Sequence, residues 1–272
     1  MSKQHLGYSK DDLANSPYAK YFQPTIAPMQ EQVTEAIACG GMSHELFYPA
    51  NHANDLLEDG YWPIETGYVR TPALGINIFC LTNMPSVTPE MWDWWFGWHG
   101  DEANKYKLWH PKAHINAQWK DGKKGEQGYI NRTSHITEYL GSEIKKGAIS
   151  FVSPKEFGID EDKMNQRGEV IICAKVGLPG LPFIAGVMAH QIRKVEGGSE
   201  MRSRMWFGGT NAKLGKNPGP IRKLLAFLLR PFTKLLLPNP QELLVHNAQE
   251  MQHLAECLPE LYAEFGPQKI KI

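Results

Sequence analysis

The sequence predicts an α+β protein in which a curved antiparallel sheet is closed by a long C-terminal helix. Three observations support this class. Apolar segments with β-type alternation follow one another from Trp109 to Gly208, short turn clusters separate them without helical crossovers, and a helical pattern runs from about Pro240 to Phe265. The region before residue 75 lacks clear periodicity. We therefore expect a small helical or irregular N-terminal domain over 1–75 and a catalytic α+β domain over 76–272.

The N-terminal half contains two helix signals and one strand. Apolar residues recur at helical spacing from Met29 to Ile37, and Gly40–Gly41 ends that pattern. A strand is expected over Ala73–Thr82. Thr88, Pro89 and an acidic first turn then begin a tryptophan-rich helix. Its tryptophans suit either a core or the wall of a pocket for a flat aromatic ligand, and the core is the more common outcome.

The later strands alternate with turns rich in glycine. Those turns are Asp121–Gly125, Gly177–Gly180 and Glu196–Gly198. The expected strands are Ala113–Trp119, Tyr129–Tyr139, Ala148–Val152, Glu169–Val176, Gly186–Glu196 and Met201–Phe207.

Composition and motifs exclude several classes of function. Lysine plus arginine (29) equals aspartate plus glutamate (29), so no basic surface for nucleic acid or an anionic membrane is expected. The most apolar stretch, Leu224–Leu237, is short and contains Arg230, Pro231 and Lys234, which does not suit a membrane span. Dinucleotide, P-loop and serine-hydrolase motifs are absent. The four cysteines are widely separated, which favours reduced, buried residues in a cytoplasmic protein.

The final helix carries the clearest chemical pattern. His246 and Glu250 are one turn apart, and His253 and Cys257 continue the same stripe. A neutral imidazole and a carboxylate at this spacing can bind one divalent metal ion. The pair alone is weak evidence, because His and Glu four residues apart are common on surface helices.

The strands could supply further metal ligands. His110 and His114 precede or begin a strand, His135 and Glu138 lie on the next one, and His190 lies on a later one. Strand alternation places Asn116 on the face of His114 and sets His135 and Glu138 on opposite faces. Only one of those last two can therefore join a site with the helix. Taken alone, each histidine is more typical of an ordinary core or surface position than of a metal ligand.

Three separated segments resemble the 2,4-diacetylphloroglucinol hydrolase family, to which phloretin hydrolase is related. They are YKLWHPKAH (106–114), TEYLG (137–141) and HNAQEMQHLAECLPELYAEFG (246–266). The resemblance extends from about Trp92 to Gly266. It implies a Bet v 1-like helix-grip fold and hydrolysis of the carbon–carbon bond between an acyl group and a phloroglucinol-type ring.

The resemblance also implies a set of functional residues. A zinc ion would be held by His114, Glu138, His246 and Glu250, with Glu143 as the alternative to Glu138. Tyr106, His190 and Asn116 would be catalytic residues in the pocket. The family pattern has a tyrosine near Met205–Trp206 and a histidine upstream of His190, and this chain has neither.

Two other functions stay open at this level. The chain could hydrolyse a different small phenolic substrate with a metal ion, or it could be a non-enzymatic carrier for an apolar aromatic ligand. Both share with the main hypothesis a small aromatic partner and no nucleic acid or membrane. Whether the protein is a monomer or a homodimer is also open.

Overall fold

The structure, a computed structural model, describes residues 6–123, 128–181, 183–214 and 237–267. Its strands form one antiparallel sheet in the order β1-β2-β8-β7-β6-β5-β4-β3, and β9 pairs with β7. The strands are β1 (Gly67–Arg70), β2 (Gly75–Pro85), β3 (His114–Trp119), β4 (Thr133–Leu140), β5 (Glu143–Val152), β6 (Val170–Gly177), β7 (Phe183–Val195), β8 (Gly198–Gly208) and β9 (Lys213–Leu214).

Short helices connect the strands, and a long one follows them. In the described ranges the α-helices are α1 (Lys10–Asn15), α2 (Glu31–Cys39), α3 (Pro89–Trp98), α4 (Ala103–Trp109), α5 (Pro154–Phe157), α6 (Glu161–Gln166), α7 (Pro240–Ala255) and α8 (Leu258–Phe265). Single 3₁₀ turns or short 3₁₀ helices occupy Ala19–Tyr21, His44–Leu46, Ala50–Leu57, His99–Asp101 and Gly209–Asn211.

Helix α7 packs against one face of the sheet, which we call the inner face. Leu244 and Ala248 on the helix lie in one buried cluster with Ile78 of β2 and Phe207 of β8. Apolar side chains two residues apart point to the same side of a strand, so alternate positions of β2 and β8 build this surface. The predicted α+β class, with a sheet closed by the C-terminal helix, is confirmed.

The predicted C-terminal helix is divided into α7 and α8. Glu256 and Cys257 form the break, and Pro259 lies in the first turn of α8. Proline has no backbone N–H and its ring collides with the carbonyl four residues earlier, which is that of Ala255. A single helix through this point is therefore not possible.

The outer face of the sheet is covered by the chain that precedes it. Leu56 and Leu57 are fully buried in a cluster with Ile171 and Trp206 of the sheet. Further along, Glu65 pairs with Arg202 at 2.7 Å and with Arg204, both of which project from β8. β1 also belongs to the segment before residue 75 and pairs with β2. The expected boundary at residues 75–76 thus coincides with the start of β2, and the preceding segment packs into the same sheet.

The tryptophan-rich helix α3 contributes mainly to the core. Trp92 and Trp95 have no exposed surface and belong to the largest buried cluster. Of the residues in α3, Phe96 borders the cavity described below. The core interpretation of these tryptophans is confirmed over the pocket-wall alternative.

All four cysteines are free. Cys80 and Cys173 are buried as expected, whereas Cys39 at the end of α2 is exposed. Within the described ranges, no helix has the length and apolar character needed to cross a membrane. The apolar stretch from Leu224 lies outside the described residues until Leu237.

Candidate metal centre and its cavity

Two histidines and two glutamates from three elements meet beside the inner face. His114 is the first residue of β3 and pairs with Glu138 of β4 in the sheet register. Residues directly opposite each other in an antiparallel pair point to the same side. His246 and Glu250, one turn apart on α7, face them across the gap between helix and sheet.

The distances among these groups suit one small cation. His114 Nε2 lies 3.4 Å from His246 Nε2, 3.4 Å from Glu250 Oε2 and 3.7 Å from Glu138 Oε2. His246 Nε2 lies 3.7 Å from Glu250 Oε2 and 3.8 Å from Glu138 Oε2. Ligands bound at about 2.1 Å in a tetrahedron are separated by roughly 3.4 Å. His114, Glu138 and His246 thus form a group that could hold a metal ion, and Glu250 lies within 3.7 Å of both imidazole nitrogens.

The imidazole of His114 is fixed with its free nitrogen toward this point. Its Nδ1 is 2.9 Å from the backbone oxygen of Tyr106, which can only accept, so Nδ1–H donates and Nε2 keeps its lone pair. The side chain has no exposed surface, and this burial lowers the pKa of His114 to about 3. A neutral imidazole held by a hydrogen bond to its other nitrogen is the usual form of a metal-binding histidine.

The two carboxylates are also held by neighbours. The Tyr106 hydroxyl donates to Glu138 Oε2, and Asn247 Nδ2 donates to Glu250 Oε1 at 3.3 Å. Burial, reinforced by the nearby charge of Glu138, raises the pKa of Glu250 to about 8. Two carboxylates in a buried site repel each other unless a cation compensates them. The donor set therefore fits a divalent ion chemically as well as geometrically.

His246 is supported by a second imidazole that the sequence pattern did not assign. The rings of His110 and His246 are stacked with their centroids 5.1 Å apart, and His110 Nε2 is 3.3 Å from Gln249 Oε1. Burial lowers the pKa of His110 to about 2, so the ring is neutral. By sequence, His110 is among the residues that could supply a further ligand, but its spacing did not indicate the contacts with His246 and Gln249 of α7.

A cavity of about 210 Å³ opens from this cluster along the inner face. Glu138, His246, Glu250, Tyr106 and His190 border it. Most of the remaining wall is apolar and includes Phe96, Trp109, Ile136, Leu140, Ile149, Phe151, Val176, Leu178, Met188, Met205, Phe207 and Leu243. The cavity therefore offers a largely apolar surface suited to a flat aromatic molecule, with the His–Glu cluster at one end.

His190 lies on the inner face of β7 and borders the cavity. Its Nδ1 is 2.8 Å from the hydroxyl of Ser203 on β8, and burial lowers the pKa of His190 to about 4. A serine hydroxyl can donate or accept, so either tautomer of His190 is compatible with this contact.

Asn116 and Glu143 lie apart from the cluster. A β-bulge between His114 and Asn116 shifts the register, so that Asn116 pairs with Thr137 and not with an inward-facing residue. Asn116 consequently projects to the other side of the sheet from His114 and borders a separate surface cavity. The alternation that placed the two residues on one face does not hold here. Glu143 is exposed at the start of β5 and forms an ion pair with Lys145.

Fold and site together define an α+β protein with a buried His–Glu cluster at one end of a largely apolar cavity. The chain belongs to the DAPG hydrolase PhiG domain family, whose model matches residues 47–263. This match includes all four clustered residues and every cavity residue named above.

Three relatives that are named as enzymes match nearly the whole chain. A 2,4-diacetylphloroglucinol hydrolase from a Pseudomonas species is 29% identical over 93% of this chain and 89% of its own length. The protein of that name from Pseudomonas protegens is 28% identical over 93% and 85%. Phloretin hydrolase from Eubacterium ramulus is 29% identical over 91% and 89%. Among solved structures, Ara h 8.0201 covers 66% of this chain and 99% of its own at 12% identity, with a TM-score of 0.33.

Proposed function

We propose that this protein is a zinc-dependent hydrolase that cleaves the carbon–carbon bond between an acyl group and a phloroglucinol-type ring. Conversion of 2,4-diacetylphloroglucinol to monoacetylphloroglucinol and acetate is the reference reaction. The observation that carries the proposal is the group of His114, Glu138 and His246, with Glu250 3.4 Å from His114, at one end of a cavity with an aromatic wall. The names of the three relatives agree with the substrate class.

The donor set favours zinc over the other common divalent ions. Two imidazole nitrogens and two carboxylate oxygens in a tetrahedron are typical zinc ligands, whereas calcium and magnesium prefer six or more oxygen ligands. A zinc ion bound here would polarise the acyl carbonyl and lower the pKa of a water molecule.

The reaction requires one water molecule and a proton at the ring carbon. The hydroxyl of water forms a bond to the acyl carbon, the acyl–ring bond breaks, and its electron pair passes to the polyhydroxylated ring. The ring carbon then takes a proton, so the products are a carboxylic acid and the deacylated phenol. The ring hydroxyls stabilise the departing electron pair as an enolate, which explains why a phenol with several hydroxyls is a suitable substrate.

His190 is the candidate for moving the proton. It is neutral and borders the cavity, and its contact with Ser203 permits either tautomer. A ring that can exchange tautomers can take a proton at one stage and return it at another. Phe96, Trp109 and Phe151 contribute an aromatic wall that holds a flat ring and excludes bulk water.

Metal analysis of the purified protein tests the ligand set. We expect about one zinc per chain in the wild type and loss of zinc and activity in Glu138→Ala, His246→Ala and Glu250→Ala, with the circular dichroism spectrum retained. Glu143→Ala is the matched control, because Glu143 is an exposed glutamate at the next strand's start. Full zinc occupancy in His246→Ala would refute the assignment.

Activity is tested by incubating zinc-replete protein with a panel of acylphloroglucinols and measuring the released carboxylic acid. Acid release that depends on Glu138 and His246 supports the hydrolase. Metal-free protein that binds the aromatic compounds without releasing acid would instead identify a carrier. Acid release from other acylphenols but not from acylphloroglucinols would identify a different substrate class.

A further inference from the structure

Two of the polar residues that border the cavity, His99 and Ser134, have no role in the reaction described above. Ser134 lies on the same face of β4 as Glu138 but four residues earlier, which is about 13 Å along the strand. His99 follows α3 and stacks against Tyr106, with ring centroids 5.9 Å apart. Gly100, the next residue, packs against Trp119, which is the partner of Ser134 in the β3–β4 pair. The elements that carry His99 and Ser134 are thus connected through Trp119, and both side chains border the same cavity.

His99 offers a hydrogen-bond acceptor. Its Nδ1 is 2.8 Å from the backbone oxygen of Trp95. A carbonyl oxygen cannot donate, so Nδ1 carries the hydrogen and Nε2 carries a lone pair. Nε2 makes no hydrogen bond to the residues that the structure describes. The side chain is only 3% exposed, and burial lowers the pKa of His99 to about 4, so the acceptor stays neutral at physiological pH.

Ser134 offers a hydroxyl group without a partner. The residue is 1% exposed, and its oxygen has no hydrogen-bond partner in the described part of the chain. Trp109 also borders the cavity, and its indole N–H is likewise buried without a hydrogen-bond partner in the described part of the chain. A buried polar group without a partner destabilises the folded protein, and a serine hydroxyl can turn about one bond to reach a ligand. This wall therefore provides an acceptor at His99, a donor at Trp109 and a hydroxyl able to do both.

We propose that His99 and Ser134 form a subsite that binds the ring hydroxyl para to the acyl group of the substrate. The inference rests on the proposed function for the orientation of the substrate, whose acyl group must lie at the cluster. A phenolic hydroxyl donates one hydrogen bond and accepts others, which matches the acceptor at His99 and the hydroxyl at Ser134. A methoxy group or a hydrogen atom at that ring position would leave the imidazole lone pair unpaired.

The first test compares two substrates in each of four proteins. The substrates are an acylphloroglucinol and the analogue that lacks only the hydroxyl para to the acyl group. The proteins are the wild type, Ser134→Ala, His99→Phe and Ser199→Ala. Ser199 is the matched control, because its hydroxyl is equally buried and without a described partner but lies outside the cavity.

The ratio of kcat/KM between the two substrates removes differences in intrinsic reactivity when proteins are compared. The ratio is kcat/KM for the acylphloroglucinol divided by kcat/KM for the analogue without the para hydroxyl. We expect Ser134→Ala and His99→Phe each to lower this ratio by about 10-fold or more. Ser199→Ala should leave it within about twofold of the wild type. Ser134→Ala breaks no hydrogen bond to a described residue, so this variant should fold. It can therefore test the proposal even if His99→Phe does not fold. An unchanged ratio in Ser134→Ala and His99→Phe would overturn the proposal.

A second measurement separates this subsite from the hydrolase proposal. Phloroglucinol and resorcinol contain no acyl bond, so calorimetry on the intact protein reports ring binding without turnover. Tighter binding of phloroglucinol that is lost in Ser134→Ala supports the subsite even if no acylphloroglucinol is hydrolysed. Equal binding of phloroglucinol by the wild type, Ser134→Ala and His99→Phe would refute the subsite while leaving the hydrolase proposal intact.

Discussion

Tyr106 contacts the His–Glu cluster with three different groups: its ring, its backbone oxygen and its hydroxyl. Its ring is stacked on His114 at a centroid distance of 3.7 Å, its backbone oxygen accepts from His114 Nδ1, and its hydroxyl donates to Glu138. The hydroxyl hydrogen is therefore directed at a ligand, although the oxygen can still accept from a substrate. These contacts favour a positioning role for Tyr106 in addition to the substrate contact that the sequence suggests.

Tyr106→Phe should weaken zinc binding by about 10-fold to 100-fold, because the change removes the hydrogen bond that orients Glu138 and keeps the ring stacked on His114. Competition with a chromogenic chelator measures this affinity. Tyr139→Phe is the control, since Tyr139 is adjacent to Glu138 but lies on the opposite face of β4. A different result would contradict this role: zinc affinity is unchanged, and turnover is lost only for substrates with a hydroxyl next to the acyl group. The Tyr106 hydroxyl would then bind the substrate and not orient Glu138.

Helical and strand periodicity differ in how well they predicted individual site residues. His246 and Glu250 are adjacent because the helix period requires it. Strand alternation correctly separated Glu138 from His135, but it failed for Asn116 because a bulge beside His114 changes the register. A bulge depends on the pairing of two strands, so the residues of one strand do not reveal it. His99 was missed for a similar reason, since only tertiary packing brings it to the cavity, whereas His110 was considered as a possible ligand and stacks on His246.

Among the elements, the segment before β1 is held to the outer face by a buried ion pair. Glu65 contacts both Arg202 and Arg204, whose side chains are almost completely buried. Burial alone would raise the pKa of Glu65, but the two guanidinium groups hold it below its ordinary value. The charge on Glu65 therefore stabilises the folded state above the unfolded pKa of about 4.3, and this contribution is lost as the pH falls below that value.

Glu65→Gln should lower the free energy of unfolding by about 3 kcal/mol, because it leaves two buried guanidinium groups without a counter-charge. Urea unfolding near neutral pH measures the change. Glu58→Gln is the control, since Glu58 forms only an exposed pair with Lys163 and its loss should change stability by less than about 1 kcal/mol. Equal effects from both substitutions would contradict a structural role for the Glu65 pair.

The strands were predicted more completely than the helices. Alternating apolar residues between glycine-rich turns identified β2 to β8, with ends that differ by several residues in places. β1 was missed because only four residues pair, and α4 was missed because its seven residues follow directly on another helical turn. Residues 47–65 showed no periodicity because 3₁₀ turns and loops cover the sheet there, and their burial depends on contacts far away in sequence.

At the scale of the whole molecule, several buried histidines make stability depend on pH. Burial lowers the pKa values of His99, His190 and His253 to about 4. In the unfolded chain each would titrate near 6.5, so between about pH 6.5 and pH 4 the unfolded state binds more protons. The free energy of unfolding should therefore decrease as the pH falls through this interval.

His253→Gln isolates one part of that dependence. His253 Nδ1 accepts a hydrogen bond from the backbone N–H of Ala27 at 3.2 Å, and a protonated ring could not accept it. Urea unfolding from about pH 7 to about pH 5 should give a shallower loss of stability in this variant than in the wild type. His44→Gln, at an exposed position, should follow the wild-type curve. Parallel curves for His253→Gln and the wild type would mean that His253 is also protonated in the folded protein.

The position of α7 in the chain has a consequence for the order in which the molecule assembles. The helix supplies two of the four clustered side chains and covers Ile76, Ile78 and Phe207, yet it follows every strand of the sheet in sequence. On a ribosome, the complete sheet emerges before the residues that bury its inner face and complete the site. The nascent chain therefore passes through a stage with an uncovered apolar surface, at which chaperones would act. Under the proposed function the metal ion binds only after that stage, so added metal should slow unfolding more than it accelerates folding.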